Sequence, residues 1–239
     1  MSDRFDLQLR EAVIRFWTTR ANQSAQQKTR GQSDQGSRSA VTGGHQMDGF
    51  IDLISSLVVD AGVNRNCIFT NSSVELPGYY RPTKKWDLLV VVDQTLLAVV
   101  EVKSQIGPSF GNNFNNRVEE ALGSATDLWT AYREGAFKTS PRPWLGYLFL
   151  LEDCEKSRNA TGVQEPHFDV FPEFKSASYC RRYEIFLRKL LRERCYDGAA
   201  FITSNNDVSN PSNYAQPADD LGFDVFARSL QPHIRGAVS

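Results

Sequence analysis

Residues 86–103 read WDLLVVVDQTLLAVVEVK, two dense apolar runs, DLLVVV (87–92) and LLAVVEVK (96–103), split by Asp93-Gln94-Thr95. Short, continuous, β-branched runs of this kind predict strands buried on both faces, as in the middle of an α/β sheet. A three-residue hairpin loop at 93–95 sets Val92 opposite Leu96 and, further along, Asp87 opposite Glu101. Directly opposed side chains have Cβ atoms ~4.5–5.5 Å apart, so two carboxylates there can share a cation. Lys103, two residues beyond Glu101, points to the same face. A two-residue loop would instead set Val100 opposite Asp87; the three-residue loop is the expectation adopted.

Two acids facing each other repel unless a cation sits between them. A small set of hard oxygen ligands suits Mg²⁺, which keeps several waters. A lysine beside them can orient an attacking water and stabilise charge developing on a phosphate. The pattern therefore describes metal-assisted phosphodiester hydrolysis, with a structural ion pair of Lys103 as the alternative. Glu-x-Lys recurs at Glu173-Phe174-Lys175, but after Pro172 and without an apolar strand, so that copy reads as a surface loop.

Working outward, residues 4–18 show helical periodicity (Phe5, Leu9, Ala12, Val13, Phe16, Trp17). Residues 21–46 are polar and read as a long arm. A helix follows at about 47–61, opened by Asp48, then a short strand at 67–70 and a turn-rich basic segment, PGYYRPTKK, at 77–85. Beyond the two apolar runs come a Gly/Asn-rich loop (107–117), a helix (115–134), a strand (144–151), a basic amphipathic helix (177–195) and a last strand (198–203). The order predicts one α/β/α sandwich with a mixed central sheet. The expected organisation is a single nuclease domain over 1–239: N-terminal helix 1–20, polar arm 21–46, catalytic core 47–203 and C-terminal extension 204–239.

The 239 residues carry a net charge of −1, so no global positive field announces a nucleic-acid partner. Local charge is uneven: residues 1–45 hold seven Lys/Arg against four acids. The four cysteines form no C-x-x-C pair and, with three histidines, no zinc spacing; they read as free thiols. No apolar stretch suits a membrane span or a signal peptide, so a cytoplasmic location is expected.

Asp87 with Glu101-Val102-Lys103 resembles the active site of the PD-(D/E)XK nucleases, Trp86 standing where that motif has proline. More closely, LPGYYRPTKKWDLLVV, VEVKSQIGPSFGNNFNNRVEEALGSA, RPWLGYLFLLEDC and FPEFKSASYCRRYEI resemble the XhoI family of type II restriction endonucleases, as does RGQSDQGSRS with GGHQMDGF. The resemblance covers most of residues 30–203. It implies a restriction-endonuclease-like fold and Mg²⁺-dependent cleavage of double-stranded DNA at CTCGAG by a homodimer, leaving 5′ overhangs, beside a companion DNA methyltransferase. In that reading Asp87, Glu101 and the Val102 carbonyl hold the metal and Lys103 positions the water. Alternatives are a repair or junction-resolving nuclease and an inactive DNA-binding module.

Related nucleases often place a further metal-site acid on the helix before the sheet. Asp48 is the candidate and Glu75 the rival, although the helix dipole alone favours an acid at that position. Asn112, Asn113, Asn115, Asn116 and Arg117 are candidate DNA contacts, because Asn and Arg can bond adenine and guanine edges bidentately. Arg81, Lys84 and Lys85 are candidate phosphate contacts, and the arm with Lys28, Arg30 and Arg38 can order around DNA. His45 and the basic face of the 177–195 helix read as solvated surface. Tyr79 and Tyr80 read as packing residues.

Overall fold

The two apolar runs form strands β4 (Leu88–Val92) and β5 (Thr95–Gln105), joined by a two-residue turn rather than the expected three. Asp93 and Gln94 both have positive φ, 47° and 64°, and Val92 pairs with Thr95. Turns with two positive φ values match the twist of the flanking strands, which is why the tight loop wins. Left alone, that turn would misalign the carboxylates. A β-bulge corrects it: Val91 pairs with Leu96 but Val90 with Ala98, so Leu97 is the extra residue. From there to Leu88↔Val100 the alignment is the one that brings Asp87 level with Glu101. The bulge also decides the face. Leu97 and Ala98 both enter one core, and Glu101 and Lys103 consequently point to the other.

These strands sit in a six-stranded mixed sheet ordered β1-β4-β5-β6-β7-β8. The others are β1 (Ile68–Phe69), β6 (Trp144–Glu152), β7 (Gly198–Ser204) and β8 (Tyr214–Ala215). β5, β6 and β7 run parallel; β1–β4, β4–β5 and β7–β8 pair antiparallel. A separate hairpin, β2 (Glu75–Pro77) with β3 (Thr83–Lys85), occupies the segment expected to be only turns. The structure, a computed structural model, describes residues 5–29, 45–207, 209–210 and 213–238.

Helices cover both faces, which makes this an α/β/α sandwich. On one face α1 (Asp6–Thr29), α2 (Asp48–Asp60) and α6 (Phe223–Val238) bury Phe16, Ile54 and Phe226 against Val90, Val100 and Leu148. On the other, α3 (Phe110–Arg133) and α5 (Tyr179–Arg192) bury Leu128 and Tyr183 against Val99 and Phe149. A single turn, α4 (Glu155–Arg158), follows β6.

Three expectations change. Residues 21–29 continue α1 instead of joining the arm, because Ala, Gln and Lys are good helix formers and no Gly or Pro stops them. Arg30 and Arg38, and the side chain of Lys28, lie outside what the structure describes. The Gly/Asn-rich segment is helical from Phe110, five residues earlier than expected. The C-terminal extension holds α6, whose Phe223, Phe226, Ala227, Leu230 and Ile234 join the core. No helix among the described residues is long and apolar enough to cross a membrane.

Candidate active site

Asp87 immediately precedes β4, at the carboxyl-terminal half of the antiparallel β5. Its Oδ2 accepts the Val102 N–H at 2.8 Å, and its own N–H donates to the Val100 carbonyl at 3.3 Å. In a strand a residue's N–H and C=O leave on the same side. The Val102 carbonyl therefore faces the side where Asp87 stands and β4 has not yet begun.

Glu101 is 5% exposed, and the Lys103 ammonium bridges it to Asp87, in contact with Glu101 Oε1 and 3.7 Å from Asp87 Oδ2. A second lysine completes the cluster. Lys84, on β3, places Nζ 3.0 Å from Glu101 Oε2 and 4.1 Å from the centre of the Trp86 ring. Its side chain is 12% exposed. It thus belongs to the acidic centre, whereas the sequence reading placed it among surface phosphate contacts. Lys84 and Trp86 share a face of the segment entering the site.

Burial, then the Glu101 charge, push the Asp87 carboxyl above its ordinary range; Lys103, the Val102 N–H and Lys84 offset this only in part. For Glu101 burial acts upward too, but Lys103 and Lys84 together outweigh it and hold the carboxyl below its usual range. Burial would lower Lys103, yet Glu101 and Asp87 win and raise it. The centre is therefore two carboxylates compensated by two ammonium groups. The donors fit Mg²⁺: two carboxylates and an adjacent carbonyl leave positions for the waters that ion retains. Among the described residues no group of three or more His, Cys, Asp or Glu gathers as a metal cluster.

Asp48 does not join them. It opens α2, on the opposite face of the sheet, and its Oδ2 lies 3.1 Å from His45 Nδ1 and 3.6 Å from Arg15. Glu75 is exposed, opposite Lys85 on the hairpin. Asn112, Asn115 and Asn116 are exposed on the first turns of α3, Asn113 less so. Arg117, one turn further, reaches Glu120, and its positive charge acts on Lys103 and on the buried Tyr147 hydroxyl beneath the site. Lys85 is exposed and Arg81 binds Asp127 at 2.7 Å. Tyr79 and Tyr80 are not packing residues: they are 53% and 69% exposed. The second Glu-x-Lys is surface, with Glu173 on Lys189 and Lys175 on Glu165. The basic face of α5 is spent largely on ion pairs, such as Arg188 with Asp220 at 2.7 Å.

A mixed sheet between helices, with two acids and a lysine gathered where β4 begins, is the arrangement of a restriction-endonuclease-like nuclease. The family model described as restriction endonuclease XhoI matches residues 26–216. The chain is 53% identical over 206 residues to the type II restriction enzyme BstVI of Geobacillus stearothermophilus, covering 84% of this chain and 92% of that one. It is 50% identical over 189 residues to the type II restriction enzyme XhoI of Xanthomonas vasicola, covering 78% and 75%. Against the type II restriction enzyme AbrI of Azospirillum brasilense it is 48% identical over 165 residues, covering 69% and 74%. No solved structure matches the chain. The protein belongs to the XhoI family of restriction endonucleases and is a type II, site-specific deoxyribonuclease.

Proposed function

We propose that the protein cuts both strands of duplex DNA at CTCGAG, with Mg²⁺, leaving 5′-phosphates on 5′ overhangs. The observation that carries the chemistry is the Lys103 ammonium between Asp87 and Glu101. The target comes from the family resemblance. Asp87, Glu101 and the Val102 carbonyl would hold Mg²⁺, which supplies Lewis-acid polarisation of the phosphate and a more acidic water. Lys103 orients that water for in-line attack on phosphorus, and the 3′ oxygen leaves. Arg117 adds positive charge beside Lys103. Asn112, Asn113, Asn115 and Asn116 are the base-reading candidates, and Lys85 and Arg81 the phosphate candidates. Asp48, which opens α2 on the other face of the sheet beside Arg15, is not among the metal-holding residues of this reading. A palindromic target calls for two-fold symmetry, hence a homodimer with one site per strand. A methyltransferase protecting host sites and a cytoplasmic location complete the reading, with residues 1–239 acting as one nuclease domain.

Lys103→Ala tests the assignment. It should bind a CTCGAG duplex as the wild type does and cut it at least ~100-fold more slowly, the loss typical of removing one group that stabilises developing charge. Undiminished cutting would remove Lys103 from the mechanism.

A further inference from the structure

The hairpin that delivers Lys84 to the site ends in Pro77-Gly-Tyr-Tyr-Arg-Pro82, and its tip has an unusual construction. Two tyrosines stand in solvent side by side, ring centres 5.0 Å apart and edge to face. Exposed aromatic pairs are costly to hydrate and are not needed to fold the hairpin. Yet the backbone beneath them is fixed with care. Asp127 of α3, only 2% exposed, takes both the Tyr79 and Tyr80 N–H groups on Oδ1 at 2.8 Å and Arg81 Nε on Oδ2 at 2.7 Å. A Cβ at Gly78 would stand 2.6 Å from that same carboxylate, so only glycine lets the chain approach it. The tip is anchored by a buried carboxylate, as a solvent loop ordinarily is not.

Its position indicates what it meets. Tyr80 lies four residues from Lys84, which touches Glu101. At ~3.3 Å per residue the Tyr80 main chain is at most about 13 Å from that of Lys84, roughly the width of a major groove. Arg81, its side chain 44% exposed, and the exposed Lys85 give the hairpin a positive flank. A pre-ordered Tyr-Tyr-Arg tip offers flat apolar area at little entropic cost, beside a cation suited to phosphate.

We propose that Tyr79, Tyr80 and Arg81 form a duplex-DNA contact beside the scissile phosphate, with the two rings against base or sugar surfaces and Arg81 on the backbone. This rests on the proposed nuclease function and adds to it a recognition element separate from the α3 asparagines.

The test measures binding of a 30-base-pair CTCGAG duplex in Ca²⁺ over a series of salt concentrations. It compares wild type, the double variant Tyr79→Ser/Tyr80→Ser, and Arg81→Gln, with sedimentation of each protein alone. The double variant should bind about tenfold or more weakly at every salt, with the salt slope unchanged, because rings displace no counterions. Arg81→Gln should lower the slope by about one. Folding is not at stake in the double variant, since both rings are exposed; its melting temperature checks this. Equal affinity and slope in wild type and double variant would overturn the inference while leaving the nuclease reading standing. Lost self-association would overturn it too, assigning the tip to a contact between two copies of this chain. A wild type that binds no DNA would bring down both readings.

Discussion

At Asp87 burial and the neighbouring Glu101 act together against ionisation, and two lysines answer them only in part. An acid whose folded pKa is raised holds its proton more tightly folded than unfolded. Stability is therefore lost as pH climbs from the ordinary value through the raised one, and at neutral pH the ionised Asp87 is a net cost. Asp87→Asn removes the charge and keeps an oxygen for the Val102 N–H. Its melting temperature in EDTA should rise by about 2–4 °C, the shift that ~1 kcal/mol produces in a domain of this size, while cutting is lost. A lower melting temperature would contradict the account of the centre as held against repulsion. Asp87, Glu101 and Lys103 are legible in the sequence because charged residues interrupt strands that are otherwise wholly apolar. Lys84 is not legible as their partner. Its strand has three residues, too few for periodicity to register, and its contact with Glu101 spans 17 positions.

At the scale of elements, one extra residue decides what the site faces. The two-residue turn alone would set Val100 opposite Asp87, and Leu97 reverses the error by bulging out of the ladder. Deleting Leu97 should therefore close the ladder as a regular hairpin, with Val90 still opposite Ala98, Asp87 still level with Glu101, and Glu101 and Lys103 on their present face. The expected outcome is retained cutting with a lower melting temperature, from the loss of the buried Leu97 side chain, followed by far-ultraviolet circular dichroism on heating; a folded deletion variant that no longer cuts would refute the role of Leu97 as the extra residue. Turn length and bulge offset each other in the sequence, so the alignment at the site is readable there while its cause is not. The β2–β3 hairpin makes a second prediction. Burial would raise the Asp127 carboxyl, but the Tyr80 N–H, Arg81 and the Tyr79 N–H outweigh it and hold it below its ordinary 3.8. A depressed folded pKa means stabilisation fully present above the unfolded value and lost as pH falls through the folded one. The hairpin should stay anchored at neutral pH and loosen only below about pH 4. Asp127→Ala should loosen it at all pH, with faster hydrogen exchange at the Tyr79 and Tyr80 amides; unchanged exchange would show that the anchor lies elsewhere.

At the scale of the molecule, the sheet is closed on one face by segments distant in sequence. Trp17 of α1 donates to Ser204 at the end of β7, and Gln231 of α6 donates to the Leu57 carbonyl of α2. Removing residues 222–239 would strip Phe223, Phe226, Leu230 and Ile234 from that core. At ~2–5 kcal/mol for each large buried side chain, the loss rivals the ~5–15 kcal/mol stability of a whole domain. The truncated chain should be unfolded or aggregated by circular dichroism, and a stable truncated protein would show α6 to be dispensable. The i, i+3, i+4 stripe of α6 stands plainly in the sequence, but the polar run before it disguises the segment as a tail. The sheet, by contrast, is legible because its central strands are apolar on both faces and helical segments stand before and between them to cover both.

The most direct measurement of the central claim is to incubate the purified protein with long linear DNA of known sequence, with Mg²⁺ and with EDTA, and to map every cut end. The account predicts discrete fragments ending at CTCGAG with 5′-phosphates, in Mg²⁺ alone. Discrete cutting at another sequence would contradict the target, and cutting that persists in EDTA or survives Asp87→Asn would contradict the site itself.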